Sequence, residues 1–182
     1  MKNLIFAYLI AFCLAAEAFG ERIYFVLPKE GERAEKQIEL EINKAESEIY
    51  LAIYSFTNNT LAKALKRAAS RGVKIYLVTD EKNLRGNMRD SKAGELAKIE
   101  GVSVKIARGE QAKSGEYYGI MHHKIASIDG ERAIYGSANW TASAFNVNNE
   151  LVFIDRDPDL AAEFEEIIKE ILKNAKDYVS GE

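Results

Sequence analysis

Apolar positions run almost unbroken through the first twenty residues, and after residue 21 they recur with the periods of strands and helices in turn. Residues 22–27 (RIYFVL) are short, aromatic and β-branched, the texture of a strand, and the Pro-Lys-Glu-Gly stretch that follows breaks it. Ala34, Ile38, Ile42 and Ala45 recur about every four positions, which lines one apolar stripe along a helix. Residues 48–54 (EIYLAIY) predict a second strand. Asn58 and Asn59 are N-cap candidates for a helix that turns Leu61, Ala64, Leu65 and Ala68 inward and ends at Gly72. Residues 73–79 (VKIYLVT) predict a third strand, residues 82–92 an exposed polar loop, residues 94–100 a short helix and residues 102–107 a fourth strand.

Past Tyr118 the texture changes. Residues 122–128, 133–135 and 150–155 predict closely spaced strands, partly antiparallel. The last element is a helix, with Asp157 as N-cap, Pro158 at the first helical position and a core stripe of Leu160, Phe164, Ile167, Ile168, Ile171, Leu172 and Ala175. Strands alternating with helices imply an α/β fold, a mixed and mostly parallel sheet flanked by helices. No repeat, linker or low-complexity tract divides it, so one domain is expected.

The first twenty residues change the picture of where that domain goes. Lys2, the apolar run at 4–16 and the small residues of Ala16-Glu17-Ala18 or Ala18-Phe19-Gly20 have the form of a secretory signal peptide. That division makes residues 1–20 a leader and 21–182 the functional domain, exported to the periplasm or secreted. The alternative is a retained anchor, although an apolar run of this length is short for a bilayer. The single cysteine, Cys13, lies in the run, so the mature chain has neither a disulfide framework nor a thiol nucleophile.

The 182 residues carry a net charge of −3, and it is unevenly placed. Residues 61–113 hold thirteen basic and six acidic side chains, whereas residues 157–182 hold eight acidic side chains and three lysines. The basic middle can face a polyanion, with Lys82, Arg85, Arg89 and Lys92 as candidate phosphate contacts; the plainer reading makes these solvated surface charges. Tyr117 and Tyr118 can stack on unpaired bases or serve as packing aromatics, and packing is the preferred reading.

The candidate chemistry lies in MHHKIASIDGERAIYGSANW, residues 121–140, which contains the chain's two histidines. On an extended strand His122 and Lys124 share a face and His123 takes the other. An imidazole near its ordinary pKa can serve as nucleophile or general acid, and a neighbouring ammonium can hold a phosphate oxygen. Gly136 lets backbone approach a ligand, while Ser137 and Asn139 offer uncharged donors to oxyanions. Asn139 is also a candidate cap for the turn at 140–144. Adjacent histidines on a strand diverge, so no metal site is expected from them.

The spacing H-x-K-x4-D-x6-G-S-x-N, at His122, Lys124, Asp129, Gly136, Ser137 and Asn139, is the signature of the phospholipase D superfamily, and the chain resembles that family from about residue 22 to 173. The stretch IYSFTNNTLAKAL and the NNE ending at Glu150 add to the resemblance. The motif occurs once, as in the single-motif branch of exported bacterial endonucleases and related mitochondrial enzymes described as nucleases or cardiolipin hydrolases. The resemblance implies a phospholipase D-like fold and a homodimer with one shared active site. One histidine would form a phosphohistidine, and the second, needed to protonate the leaving oxygen, would be His122 of another copy.

Within that frame Lys124 and Asn139 would hold the non-bridging oxygens, with Ser137 and Gly136 completing the cradle. Asp129 is included in the site on the motif, with a structural hydrogen-bonding role preferred. Glu150 would orient the His122 imidazole, or else is an ordinary surface glutamate at a strand start. No metal and no cofactor is required, since lysine can supply the charge. The expected activity is a non-sequence-specific endonuclease on DNA, with RNA as a further substrate. The alternatives are a phospholipid or cardiolipin hydrolase and, in another class, a catalytically silent nucleic-acid-binding dimer.

Overall fold

The computed structural model describes residues 21–84 and 91–178. The expected leader, Arg85 and Arg89 therefore lie outside the described residues. One eight-stranded sheet runs through the domain in the order β1-β7-β6-β5-β2-β3-β4-β8. Its strands are β1 (Arg22–Leu27), β2 (Glu48–Ile53), β3 (Lys74–Asp80), β4 (Val102–Ala107), β5 (Lys124–Ile128), β6 (Arg132–Gly136), β7 (Glu150–Asp155) and β8 (Lys176–Asp177). The helices are α1 (Gly31–Asn43), α2 (Asn59–Ser70), α3 (Ala93–Leu96), α4 (Ala142–Asn146) and α5 (Pro158–Asn174), with a 3-10 turn at Glu81–Leu84.

The mixed sheet and flanking helices are as the sequence implies, but the balance of directions is not. Among the described strands only β2·β3 and β3·β4 pair in parallel. The pairs β1·β7, β2·β5, β4·β8, β5·β6 and β6·β7 are antiparallel. The reason is connection length. Parallel neighbours need a crossover such as the one that carries α2, while β5 and β6 are joined by a tight turn that can only reverse the chain. At that turn Asp129 and Gly130 both take positive φ, 57° and 66°, as a type I′ hairpin demands.

The central strand β2 is apolar on both faces, as a strand covered on both sides must be. Ile49, Leu51 and Ile53 pack with Ile38, Ile42, Leu61, Leu65 and Phe145 in the core on the α1–α2–α4 side. Tyr50 and Ala52 point the other way, toward Val78 and Ile168 of α5. Asn58 caps α2 by accepting from Leu61 N–H at 3.0 Å, a contact worth about 1 kcal/mol. Asp157 caps α5 ahead of Pro158, as expected.

Several local expectations move. His122 and His123 precede β5, whose ladder begins at Lys124. Thr141, not Asn139, caps the 142–146 helix, its hydroxyl accepting from Ala144 N–H at 3.2 Å. Along α5 the burial is narrower than the predicted stripe: Ala161 and Ile168 are buried, whereas Ile167 is 37% exposed. Part of the 82–92 loop is the 3-10 turn. The short edge strand β8 was not predicted. No helix of the described residues is long and apolar enough to cross a membrane.

Candidate active site

The motif assembles at the carboxyl ends of β2 and β3, where strand ends leave side chains and backbone groups free to meet a ligand. Lys124 opens β5 opposite Ile53, the last residue of β2. The chain leaving β2 therefore lies against the chain entering β5, and Tyr54 N–H donates to the His123 carbonyl at 2.9 Å. The Tyr54 ring meets the His122 imidazole edge-on, centroids 4.8 Å apart, and Lys124 Nζ stands 5.3 Å from the centre of the same ring. His122 and Lys124 are thus gathered on one aromatic platform, and His123 has no ring contact there among the described residues.

The two candidates differ in exposure. His122 is exposed, whereas Lys124 is only 8% exposed and donates to the His122 carbonyl at 2.9 Å. Burial pushes the Lys124 ammonium below the ordinary lysine pKa, and the Glu150 carboxylate opposes that shift. His123 is also lowered, by desolvation first and then by the charges of Lys124 and His122.

The second half of the motif arrives through β6. At Gly136 φ is 149°, and a Cβ there would lie 2.1 Å from the Leu151 carbonyl oxygen, so only glycine lets β6 run this close to β7. The next residue, Ser137, donates through its hydroxyl to Glu150 and accepts from Leu151 N–H at 3.0 Å. Glu150 also accepts from the Asn148 amide at 3.4 Å. Among the described residues it makes no hydrogen bond to His122, so the carboxylate orients Ser137 and biases Lys124 in this arrangement. Asn139 is held by its neighbour: Trp140 N–H donates to the Ser55 carbonyl at 3.1 Å, and the Trp140 carbonyl accepts from Thr57 and Asn58 N–H, each at 2.9 Å. Trp140 also stacks edge-on against Phe56 at 5.4 Å. The Asn139 Oδ1 is buried and accepts no hydrogen bond among the described residues.

Asp129 is not brought into this cluster. It lies beyond the far end of β5, about 17 Å from Lys124 at roughly 3.4 Å per strand residue. Its carboxylate there accepts from Glu46, Ser47 and Glu48 N–H and from the Ser47 hydroxyl, and pairs with Arg132. Burial alone would raise its pKa, but these hydrogen bonds outweigh it and hold the group below the usual carboxylate value. The motif aspartate thus pins the β5–β6 turn to the chain entering β2.

Among the candidate phosphate contacts, Lys92 is paired with Glu95 at 3.1 Å, while Lys82 is exposed and pairs with no carboxylate among the described residues. Two residues that matter were not singled out. Tyr54 supplies the shared ring. Asp80, 1% exposed at the end of β3, accepts from Lys82 N–H at 2.9 Å and from Met121 N–H at 2.7 Å, fixing the peptide just before His122. The available signal was an acidic residue ending an otherwise apolar strand.

Fold and site together define a phospholipase D-like protein: residues 38–172 match the family described as "Cardiolipin synthase, PLD-like domain", and the chain belongs to that family. It is 34% identical over 122 residues to a mitochondrial cardiolipin hydrolase of Danio rerio, across 67% of this chain and 49% of that protein. It is 35% identical over 129 residues to a phospholipase D of Rickettsia conorii, across 71% of this chain and 59% of that one. The chain thus spans about half to three-fifths of the length of these curated relatives. Among solved structures it is similar to NucT from Helicobacter pylori, with a TM-score of 0.83 and 33% identity, covering 87% of this chain and 99% of that one. It is also similar to Nuc from Salmonella typhimurium, a phospholipase D family member, with a TM-score of 0.75 and 25% identity, covering 88% and 99%.

Proposed function

We propose that this protein is a phosphodiesterase that acts as an exported, non-sequence-specific endonuclease on DNA, through a homodimer whose two copies share one active site. The reading is carried by one observation: an exposed imidazole, His122, and a buried ammonium, Lys124, set on the same tyrosine ring at the open end of the sheet.

The His122 imidazole attacks phosphorus, forming a P–N bond as the bond to one ester oxygen breaks. That oxygen takes its proton from His122 of the second copy. Water then displaces the phosphohistidine, giving its proton back to the second imidazole. Lys124 and Asn139 from each copy hold the non-bridging oxygens as charge builds in the five-coordinate transition state. No metal is needed in this scheme, because the lysines supply the positive charge. A second copy is called for because in-line displacement needs groups on opposite sides of phosphorus, and His123 adjoins His122 on a diverging chain position. Val147 and Leu151, 71% and 42% exposed, flank Glu150 and offer that copy apolar surface to bury.

The relatives' names also support a second reading, hydrolysis of cardiolipin or another phospholipid. Incubating purified protein with single-stranded DNA, duplex DNA, RNA and cardiolipin vesicles, each with a chelator, separates the two. The nuclease reading expects cleaved nucleic acid with the chelator present. Turnover of vesicles alone would replace it with the lipid reading, and binding without turnover would leave a silent binder. Adding increasing His122→Ala chains to wild type should suppress activity beyond simple dilution; a strictly proportional loss would remove the shared site.

A further inference from the structure

Lys124 is a buried ammonium without an acid beside it. Among the described residues Lys66, Lys92, Lys105, Lys169 and Lys173 each pair with a carboxylate, and Lys124 pairs with none. Its ammonium has three protons to place, and one goes to the His122 carbonyl at 2.9 Å. The centre of the Tyr54 ring stands 5.3 Å from Nζ, within the distance at which an aromatic face attracts a cation. A carboxylate partner would cancel the charge that a phosphate oxygen is to meet. A ring stabilises the ammonium and leaves its whole charge in place.

The ring is itself held in place. Tyr54 follows directly on β2, and its backbone is fixed from two sides. Its N–H donates to the His123 carbonyl at 2.9 Å, and its carbonyl accepts from the Thr79 hydroxyl at 3.3 Å and from the Asn83 amide. The end of β3 and the segment entering β5 therefore grip the same residue. The Tyr54 hydroxyl makes no hydrogen bond among the described residues, so the contacts are carried by the ring. The His122 imidazole meets that ring at 4.8 Å with 65° between the planes. The imidazole makes no hydrogen bond of its own among the described residues, so this aromatic contact supplies its orientation.

We propose that Tyr54 is a positioning residue of the phosphodiester reaction, its ring aiming the His122 imidazole and keeping the Lys124 ammonium charged beside it. The inference rests on the phosphodiesterase reading and holds whether the ester belongs to nucleic acid or to lipid. The titratable groups that bear on Lys124 are Glu150 at the start of β7, His122 and His123 ahead of β5, and Tyr54 after β2. Asp80, at the end of β3, is committed to the N–H groups of Lys82 and Met121. Burial works against the charged lysine, Glu150 works for it from a distance, and the Tyr54 ring works for it in contact.

The test measures kcat, KM and the pH profile of kcat/KM on bis(4-nitrophenyl) phosphate, on a DNA oligonucleotide and on cardiolipin vesicles. The proteins are wild type, Tyr54→Leu, Tyr54→Phe and a chain carrying pentafluorophenylalanine in place of Tyr54, which keeps the shape of a phenyl ring and reverses the polarity of its face. Tyr24→Leu, which removes a 62% exposed tyrosine on β1, is the reference substitution, and a thermal melt of each protein puts the rates on a folded-molecule basis. At neutral pH Tyr54→Leu should lower kcat by roughly 10- to 100-fold with little change in KM, the scale of a misaimed reacting group. It should also move the basic limb of kcat/KM down by roughly 0.5 to 1.5 pH units, the worth of a desolvated cation–ring contact. Tyr54→Phe, which keeps the ring, should recover both, whereas the fluorinated ring should move the limb at least as far as leucine does. A limb that fluorination leaves in place, or a Tyr54→Phe protein as poor as Tyr54→Leu, would overturn the proposal. Should Tyr54→Leu not fold, the phenyl and fluorinated rings decide it between them. If wild type turns over a diester and no substitution at Tyr54 alters kcat or the limb, the role of Tyr54 is wrong and the phosphodiesterase reading stands. If wild type turns over none of the three substrates, that reading fails and the role of Tyr54 falls with it.

Discussion

Lys124 Nζ donates to the backbone carbonyl of His122 at 2.9 Å, while both side chains rest on the ring of Tyr54. The lysine therefore fixes the peptide that carries the imidazole as well as placing a charge beside it. A bond this local makes the spacing of the two residues a mechanical requirement: one more residue between them would turn the ammonium to the opposite face.

The buried position of Lys124 gives the reaction an alkaline limit. Its pKa is lowered from 10.5 by burial, so the charge that holds phosphate is lost at a lower pH than for an ordinary lysine. The pH profile of kcat/KM should fall on the basic side below that value. Glu150→Gln removes the charge that opposes the shift and should move the fall to still lower pH, while Lys124→Arg should remove that limb at reduced rate. A basic limb unmoved by Glu150→Gln would separate it from Lys124.

The adjacent histidines should behave unlike each other. His122→Ala should lower turnover by at least ~10²-fold, the scale of a lost acid–base or nucleophilic group. His123→Ala should change thermal stability by no more than ~1 kcal/mol and leave the chemistry in place. Steady-state kinetics beside a thermal melt of each variant decides it, and loss of turnover in the His123 variant alone would invert the assignment.

Gly136→Ala should cost stability and activity together. Its Cβ would press against the Leu151 carbonyl at a backbone angle that side chains avoid, with an expected loss of about 2–4 kcal/mol. Because β6 and β7 would be forced apart at Ser137 and Glu150, the damage should reach the site even in the protein that remains folded. Denaturant titration and activity per folded molecule measure the two effects.

Asp129 should act on stability with little effect on chemistry. Its folded pKa lies below the unfolded value near 3.8, so its contribution is complete above that value and disappears as pH falls through the lower folded one. Asp129→Asn should therefore lower the neutral-pH Tm and flatten its decline in acid. Since Asp129 lies at the opposite end of β5 from Lys124, kcat of the folded variant should stay near wild type; a large loss of kcat at full folding would place the residue in the chemistry.

Legibility followed range. The bounds of β1, β4 and β7 match their sequence windows, because an edge or flanking strand is set by a short apolar run and the breakers beside it. The Asn58 and Asp157 caps were equally readable, since a cap is a contact within one turn. The antiparallel majority of the sheet, the two-residue β8 and the Thr141 cap were not, because each depends on where a distant segment arrives or on competition between adjacent polar residues. The motif residues could be named from spacing, yet spacing placed Asp129 in the same set although the strand carries it to the other end of the sheet.

The order of residues along the chain determined which chemical groups are present and that His122 and Lys124 share a face, while Gly136, read there as making room for a ligand, proved to make room for β7. These depend on local periodicity and on the size of a side chain. Only the tertiary structure decided that Tyr54 would receive both the His122 and Lys124 side chains, that Asp80 would hold Met121 from another strand, and that Arg108 would stack on Tyr118. Those partners are far apart in sequence or separated by a hairpin, and burial of the apolar strands, which is indifferent to polar detail, is what brings them together.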